Sequence, residues 1–80
     1  MSKEPKIKPI VIVGAGGMGR DTQWLIERIN EEEPTYKILG YIDDGIQQGS
    51  IIDGYPILGG MKYLEEYDKE QKLAVAFAIG

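Results

Sequence analysis

The run Val11-Ile-Val-Gly14-Ala-Gly16-Gly17-Met-Gly19-Arg20 constrains this chain more than any other stretch. An apolar, β-branched strand enters a G-x-G-x-x-G turn, and an amphipathic helix begins at once. Gly14 lets the chain leave the strand in a tight turn, Gly16 admits close approach to a ligand, and Gly19 lets helix and strand pack together. The helix N-terminus then aims unpaired N–H groups and a partial positive charge over the turn, which favours a phosphate.

Length limits what can be built around that turn. Eighty residues make one small domain, and a chain of this size buries only roughly 60–65% of its unfolded surface. With no cysteine and no histidine, neither a disulfide nor a zinc site supports it, so stability must come from the core, a ligand, self-association or a missing remainder of the chain. A net charge of −4 with no basic stripe argues against nucleic acid. No apolar run reaches the roughly 18–20 residues of a membrane span, and no signal-peptide core is present at the N-terminus, so no membrane association is expected and the cytoplasm is the default compartment.

Periodicity places strands at Ile7 to Val13, Tyr36 to Ile42 and Leu73 to Ile79, the last apolar throughout and expected to be central. A helix is expected from about Gly17 to Asn30, with Met18, Thr22, Leu25, Ile26 and Ile29 forming the stripe that faces the sheet. Glu31, Glu32 and Glu33 oppose the macrodipole and read as a solvated helix end closed by Pro34. Ile51 to Gly60, broken by glycine and proline, reads as a short extended edge piece. Met61 to about Tyr67 reads as a second helix with Met61 and Leu64 inward. The expected fold is therefore α/β: a three-layer Rossmann-like half, β-α-β-α-β, with a parallel sheet of about three strands in the order 2-1-3. The chain stops at Gly80, directly after an apolar strand, and is expected to be the N-terminal part of something longer or a cut chain.

Asp43 and Asp44 close the second strand, 24 residues beyond Gly19 in the case of Asp43. That is near the spacing at which an acidic residue meets a ribose in dinucleotide folds; the plainer alternative is an Asp-Asp-Gly turn whose carboxylate satisfies backbone N–H groups. Arg20 stands in the first helical turn against the dipole, placed either for a phosphate or for a carboxylate such as Asp21. Trp24 falls off the apolar stripe, beside Asp21 and Arg28, and either covers the sheet edge or docks another domain or subunit. No nucleophile-elbow serine is present, and adjacent Asp43 and Asp44 make poor acid–base geometry. The segment alone reads as a binding module.

Four blocks taken together, Val11 to Arg20, Gly40-Tyr-Ile-Asp-Asp44, Gly54-Tyr-Pro-Ile-Leu-Gly59 and Ala76-Phe-Ala-Ile-Gly80, resemble the N-terminal domain of bacterial sugar O-/N-acyltransferases of the sialic acid O-acetyltransferase and bacillosamine-pathway N-acetyltransferase type. The resemblance implies a domain, residues 1–80, that binds a UDP-linked sugar. It also implies a C-terminal left-handed β-helix, absent here, that binds acetyl-CoA, carries a catalytic histidine and forms trimers. It further implies that the glycine loop faces the diphosphate, that Asp43 and Asp44 lie near the nucleoside, and that Gly80 opens a second ligand loop. Met18 departs from the histidine of some members. The expected substrate-binding set is Gly14, Ala15, Gly16, Gly17, Met18, Gly19, Arg20, Asp43, Asp44 and Gly80, with no catalytic residue, metal ligand or cofactor in this chain. The alternatives are the first half of an NAD(P)-dependent oxidoreductase and a non-catalytic nucleotide-sensing domain.

Overall fold

A computed structural model describes residues 7–70 and 73–78, with the backbone alone over 67–70. Strand β1 (Lys8–Val13) leads through the glycine turn into helix α1 (Gly17–Glu32), and β2 (Tyr36–Ile42) follows. A short hairpin, β3 (Ile51–Ile52) and β4 (Tyr55–Gly59), precedes helix α2 (Met61–Glu70) and strand β5 (Ala74–Phe77). No helix among the described residues is long and apolar enough to cross a membrane.

The strand run is apolar on both faces because both faces are covered. Ile10 and Ile12 pack with Ile26 of α1, while Val11 and Val13 pack with Leu64 of α2. This is the period-two alternation of a strand sandwiched between two helical layers. At the far end of α1, Asn30 fixes the turn into β2. Its Oδ1 accepts from the backbone N–H of Thr35 (3.0 Å) and Tyr36 (2.9 Å), and its Nδ2 donates to the Tyr36 carbonyl at 2.8 Å.

Three expectations are corrected here. The sheet has five strands in the order β3-β4-β2-β1-β5, not three in the order 2-1-3, although β1 does lie between β2 and β5. The difference is the segment after Gln48. Asp53 (φ 47) and Gly54 (φ 90) both have positive φ, the signature of the tight turn that joins a two-residue hairpin. That turn delivers β4 alongside β2 in parallel, with Ile57 fully buried, so the piece lies at the sheet edge as expected but forms two strands, one of which reaches the core. Pro56 is tolerated because its outer neighbour β3 is only two residues long. Second, β5 pairs with β1 alone and forms the edge of the described sheet, with Phe77 exposed.

Third, of its expected apolar stripe α1 fully buries Ile26 alone. Its buried residues are Gly19, Gln23 and Ile26, and Met18, Leu25 and Ile29 are all exposed. Likewise Leu64 of α2 is buried, whereas Met61 is exposed. Gly19 dictates the α1 rotation. A Cβ at that position would overlap the Gly14 carbonyl oxygen and sit 3.2 Å from the Tyr41 ring, so the helix lies directly against the glycine turn. Tyr41, buried on β2, then reaches Gln23 through its hydroxyl, which donates to the Gln23 Oε1. A buried amide with a partner takes the place that spacing assigns to leucine.

Candidate functional site

The carboxyl ends of β1 and β2 and the start of α2 enclose a groove of about 310 Å³, lined by Val13, Gly14, Ile42, Asp43, Asp44, Gly45 and Met61. Its position follows from the topology. β1 feeds α1 on one face, and the chain returns through α2 on the other to place β5 beyond β1. Open α/β sheets bind ligands where strand order reverses in this way.

Gly14 turns the chain with φ 101, and its N–H donates to the Ile42 carbonyl at 2.8 Å. Ala15 is buried and donates its N–H to Asp43 Oδ2 at 2.9 Å. The other oxygen of Asp43 accepts the Gly45 N–H at 2.8 Å, and the Asp43 N–H itself reaches the Gly59 carbonyl at 2.9 Å. Asp43 therefore ties the ends of β1, β2 and β4 together. Asp44 points elsewhere, its Oδ1 accepting the Met61 N–H at 3.2 Å, at the first residue of α2. A side chain on Gly60 would occupy the position of that carboxylate oxygen. The plainer reading of the Asp-Asp-Gly turn, satisfaction of backbone N–H groups, thus describes what both carboxylates do.

The two helix starts differ. That of α2 is capped by Asp44, whereas Gly16 precedes α1 in extended backbone and no side chain caps it. Gly16, Gly17 and Met18 are exposed, and nothing stands within 4 Å of where a Cβ would be on Gly16 or Gly17. The N–H groups of Gly17 and Met18, at the start of α1, have no hydrogen-bond acceptor among the described residues. Beside them a second, more open cavity is lined by Gly17, Met18, Arg20, Asp21 and Asp53. Arg20 pairs with Asp53, Nε to Oδ2 at 3.0 Å, and not with Asp21. Gly80, expected to open a further ligand loop, lies outside the described residues.

Residue spacing does not single out three participants here. Asp53 is the Arg20 partner, Gln23 donates from Nε2 to the Asp53 carbonyl at 3.4 Å, and Tyr55 donates its hydroxyl to Glu27 at 3.3 Å. The Asp53-Gly54 dipeptide, a strong hairpin signal between apolar residues, is the sequence feature that points to Asp53 and Tyr55. Burial, and then the carboxylates of Asp53 and Glu27, push the Tyr41 hydroxyl from its ordinary 10.0 up to about 12. Tyr55 is raised too, first by burial and then by Glu27. Trp24 stays exposed with the Arg28 guanidinium 4.7 Å above its ring, so it does not cover the sheet edge.

Fold and site together define an α/β domain with helices on both faces of a mostly parallel sheet, a glycine turn between β1 and α1, and acidic residues closing β2. Residues 9–80 match the model of the PglD N-terminal domain. The chain belongs to that family, the N-terminal domain of the PglD sugar acetyltransferases. Neither the curated proteins nor the solved structures contain a match to it.

Proposed function

We propose that this domain binds a nucleotide-linked sugar, UDP being the nucleotide, as the substrate-recognition part of an acetyltransferase. The observation that carries the reading is the uncapped, glycine-lined start of α1 next to the groove between Val13, Asp43, Asp44 and Met61. Free N–H donors and the positive end of a helix suit a diphosphate, and a groove with apolar walls and carboxylates at its rim suits a nucleoside. Membership of a sugar acetyltransferase family favours a sugar substrate over a redox cofactor. Acetyl-CoA, the catalytic base, a C-terminal β-helix and trimer contacts are assigned to the remainder of a longer parent protein, and the cytoplasm to its place of action.

Thermal unfolding with added ligand tests the reading. UDP-sugars raise the Tm of the chain more than NAD or NADP does, and stabilisation by NAD alone overturns it. Gly16→Leu abolishes the effect. Because open space surrounds that position, the new side chain meets the ligand and not the protein. Unchanged binding in that variant removes the turn from the site.

A further inference from the structure

We propose that Asp53 is a positioning residue that holds Arg20 so that its outer guanidinium edge meets the phosphates of a bound nucleotide. This rests on the reading of the α1 start as a diphosphate site.

Arg20 is the fourth residue of α1. Side chains on a helix lean towards its N-terminus, and Arg20 lines the same open cavity as Gly17 and Met18. Its guanidinium thus shares one space with the first-turn N–H groups. The contact with Asp53 is made through Nε, 3.0 Å from Oδ2. A guanidinium has five N–H donors in a planar fork, so the terminal nitrogens keep donors for a second acceptor. Planar, paired donors match phosphate oxygens better than a point charge does.

Asp53 is held from behind. It occupies the first turn position of the β3–β4 hairpin with φ 47, and its carbonyl accepts from Gln23 Nε2. Gln23 is buried and accepts in turn from the hydroxyl of the fully buried Tyr41. A line of contacts therefore runs from the core, through Tyr41, Gln23 and Asp53, to a cation at the cavity wall. Both ends of the ion pair are well exposed, with side chains 60% and 48% accessible, and pairs of that kind add little to stability. Fixing a flexible arginine beside helix N–H donors is what the arrangement does well, since a preorganised donor loses less entropy on binding.

Titration calorimetry at low salt, with UDP and uridine as probes, tests the proposal. Asp53→Gly deletes the carboxylate but keeps the turn, because glycine adopts positive φ freely. Arg20→Gln weakens UDP binding about tenfold, the size expected for a lost charge-assisted hydrogen bond. Asp53→Gly weakens it by roughly threefold, has no further effect in the Arg20→Gln background, and leaves uridine unaffected, as expected of residues that act as one unit on phosphate. Asp53→Asn, which retains an acceptor and tolerates the backbone, restores most of the affinity. Tighter UDP binding by Asp53→Gly overturns the proposal, because the carboxylate then competes for Arg20. Equal losses for uridine and UDP, or additive losses in the double variant, overturn it as well. Unchanged UDP binding by Asp53→Gly overturns this inference alone, whereas wild-type protein that fails to bind UDP takes the nucleotide reading down with it.

Discussion

The two flanks of α1 carry opposite chemistry. On the flank towards the β3–β4 hairpin, Arg20, Gln23 and Glu27 are polar, and each meets a partner on Tyr41, Asp53 or Tyr55. On the other flank, Leu25 and Ile29 are apolar and about half accessible, at 56% and 46%. Ordinary partition would reverse this, with the apolar flank inside and the polar one in water. The contrast teaches that close approach, and not hydropathy, sets the rotation of this helix. Gly19 allows α1 to sit on the glycine turn, Ile26 fills the space over β1, and the hairpin arrives to satisfy whatever polar groups remain.

If close approach rules, the largest effect belongs to Gly19→Ala. Alanine gains about 1 kcal/mol of helix propensity over glycine, yet its Cβ would overlap the Gly14 carbonyl oxygen, which is backbone and cannot swing aside. The expected net loss is about 3 kcal/mol or more. Denaturant unfolding checks it, and a variant as stable as the wild type breaks the comparison at its root.

The polar flank is probed by Tyr41→Phe. It removes the hydroxyl that Gln23 accepts from, leaving a buried amide oxygen without its donor at a cost of about 1–3 kcal/mol near neutral pH. The pH dependence sharpens the point. Tyr41 titrates at about 12 in the fold against an ordinary 10.0, so the neutral hydroxyl is the form the fold prefers. Its contribution is fully present below pH 10. Between 10 and 12 the unfolded chain releases the proton first, and stability falls by about 1.4 kcal/mol per pH unit. Tyr55 acts in the same direction. Alkaline unfolding curves of Tyr41→Phe therefore show a shallower decline over that window; an unchanged slope shows that Tyr41 is not the group responsible.

Much of this was legible in advance because it is local. The strand Tyr36–Ile42, the glycine turn and the span of α1 follow from periodicity and from the places where only glycine fits. What spacing could not supply is partnership across the sheet. Gln23 looks like a surface residue until Tyr41, 18 positions away in sequence, reaches its amide. Leu25 and Ile29 look like core residues until Gly19 turns the helix away from them. Asp43 and Asp44 do follow the end of β2 as the sequence places them, but what they do depends on which backbone groups lie within reach. Asp43 is spent on Ala15 and Gly45, and Asp44 on the start of α2. The hairpin was the most readable of the missed features, since Asp53-Gly54 demands positive φ whatever surrounds it.

The smallest effect tests the apolar flank, with Leu25→Gln and Ile29→Gln combined. At core positions such changes would cost several kcal/mol, from lost burial together with a buried, unpaired amide. On a half-accessible flank the glutamines stay hydrated and keep good helix propensity, so the double variant is expected within about 0.5 kcal/mol of the wild type. Ile26, one residue from Leu25, is only 5% accessible and marks how sharply the environment changes around the helix. The measurement is Tm at two protein concentrations. An unchanged, concentration-independent value confirms that the flank carries no folding energy within the chain. A loss that appears only at the higher concentration shows instead that two copies cover the flank between them, and the contrast between the flanks would then be one between intramolecular and intermolecular burial.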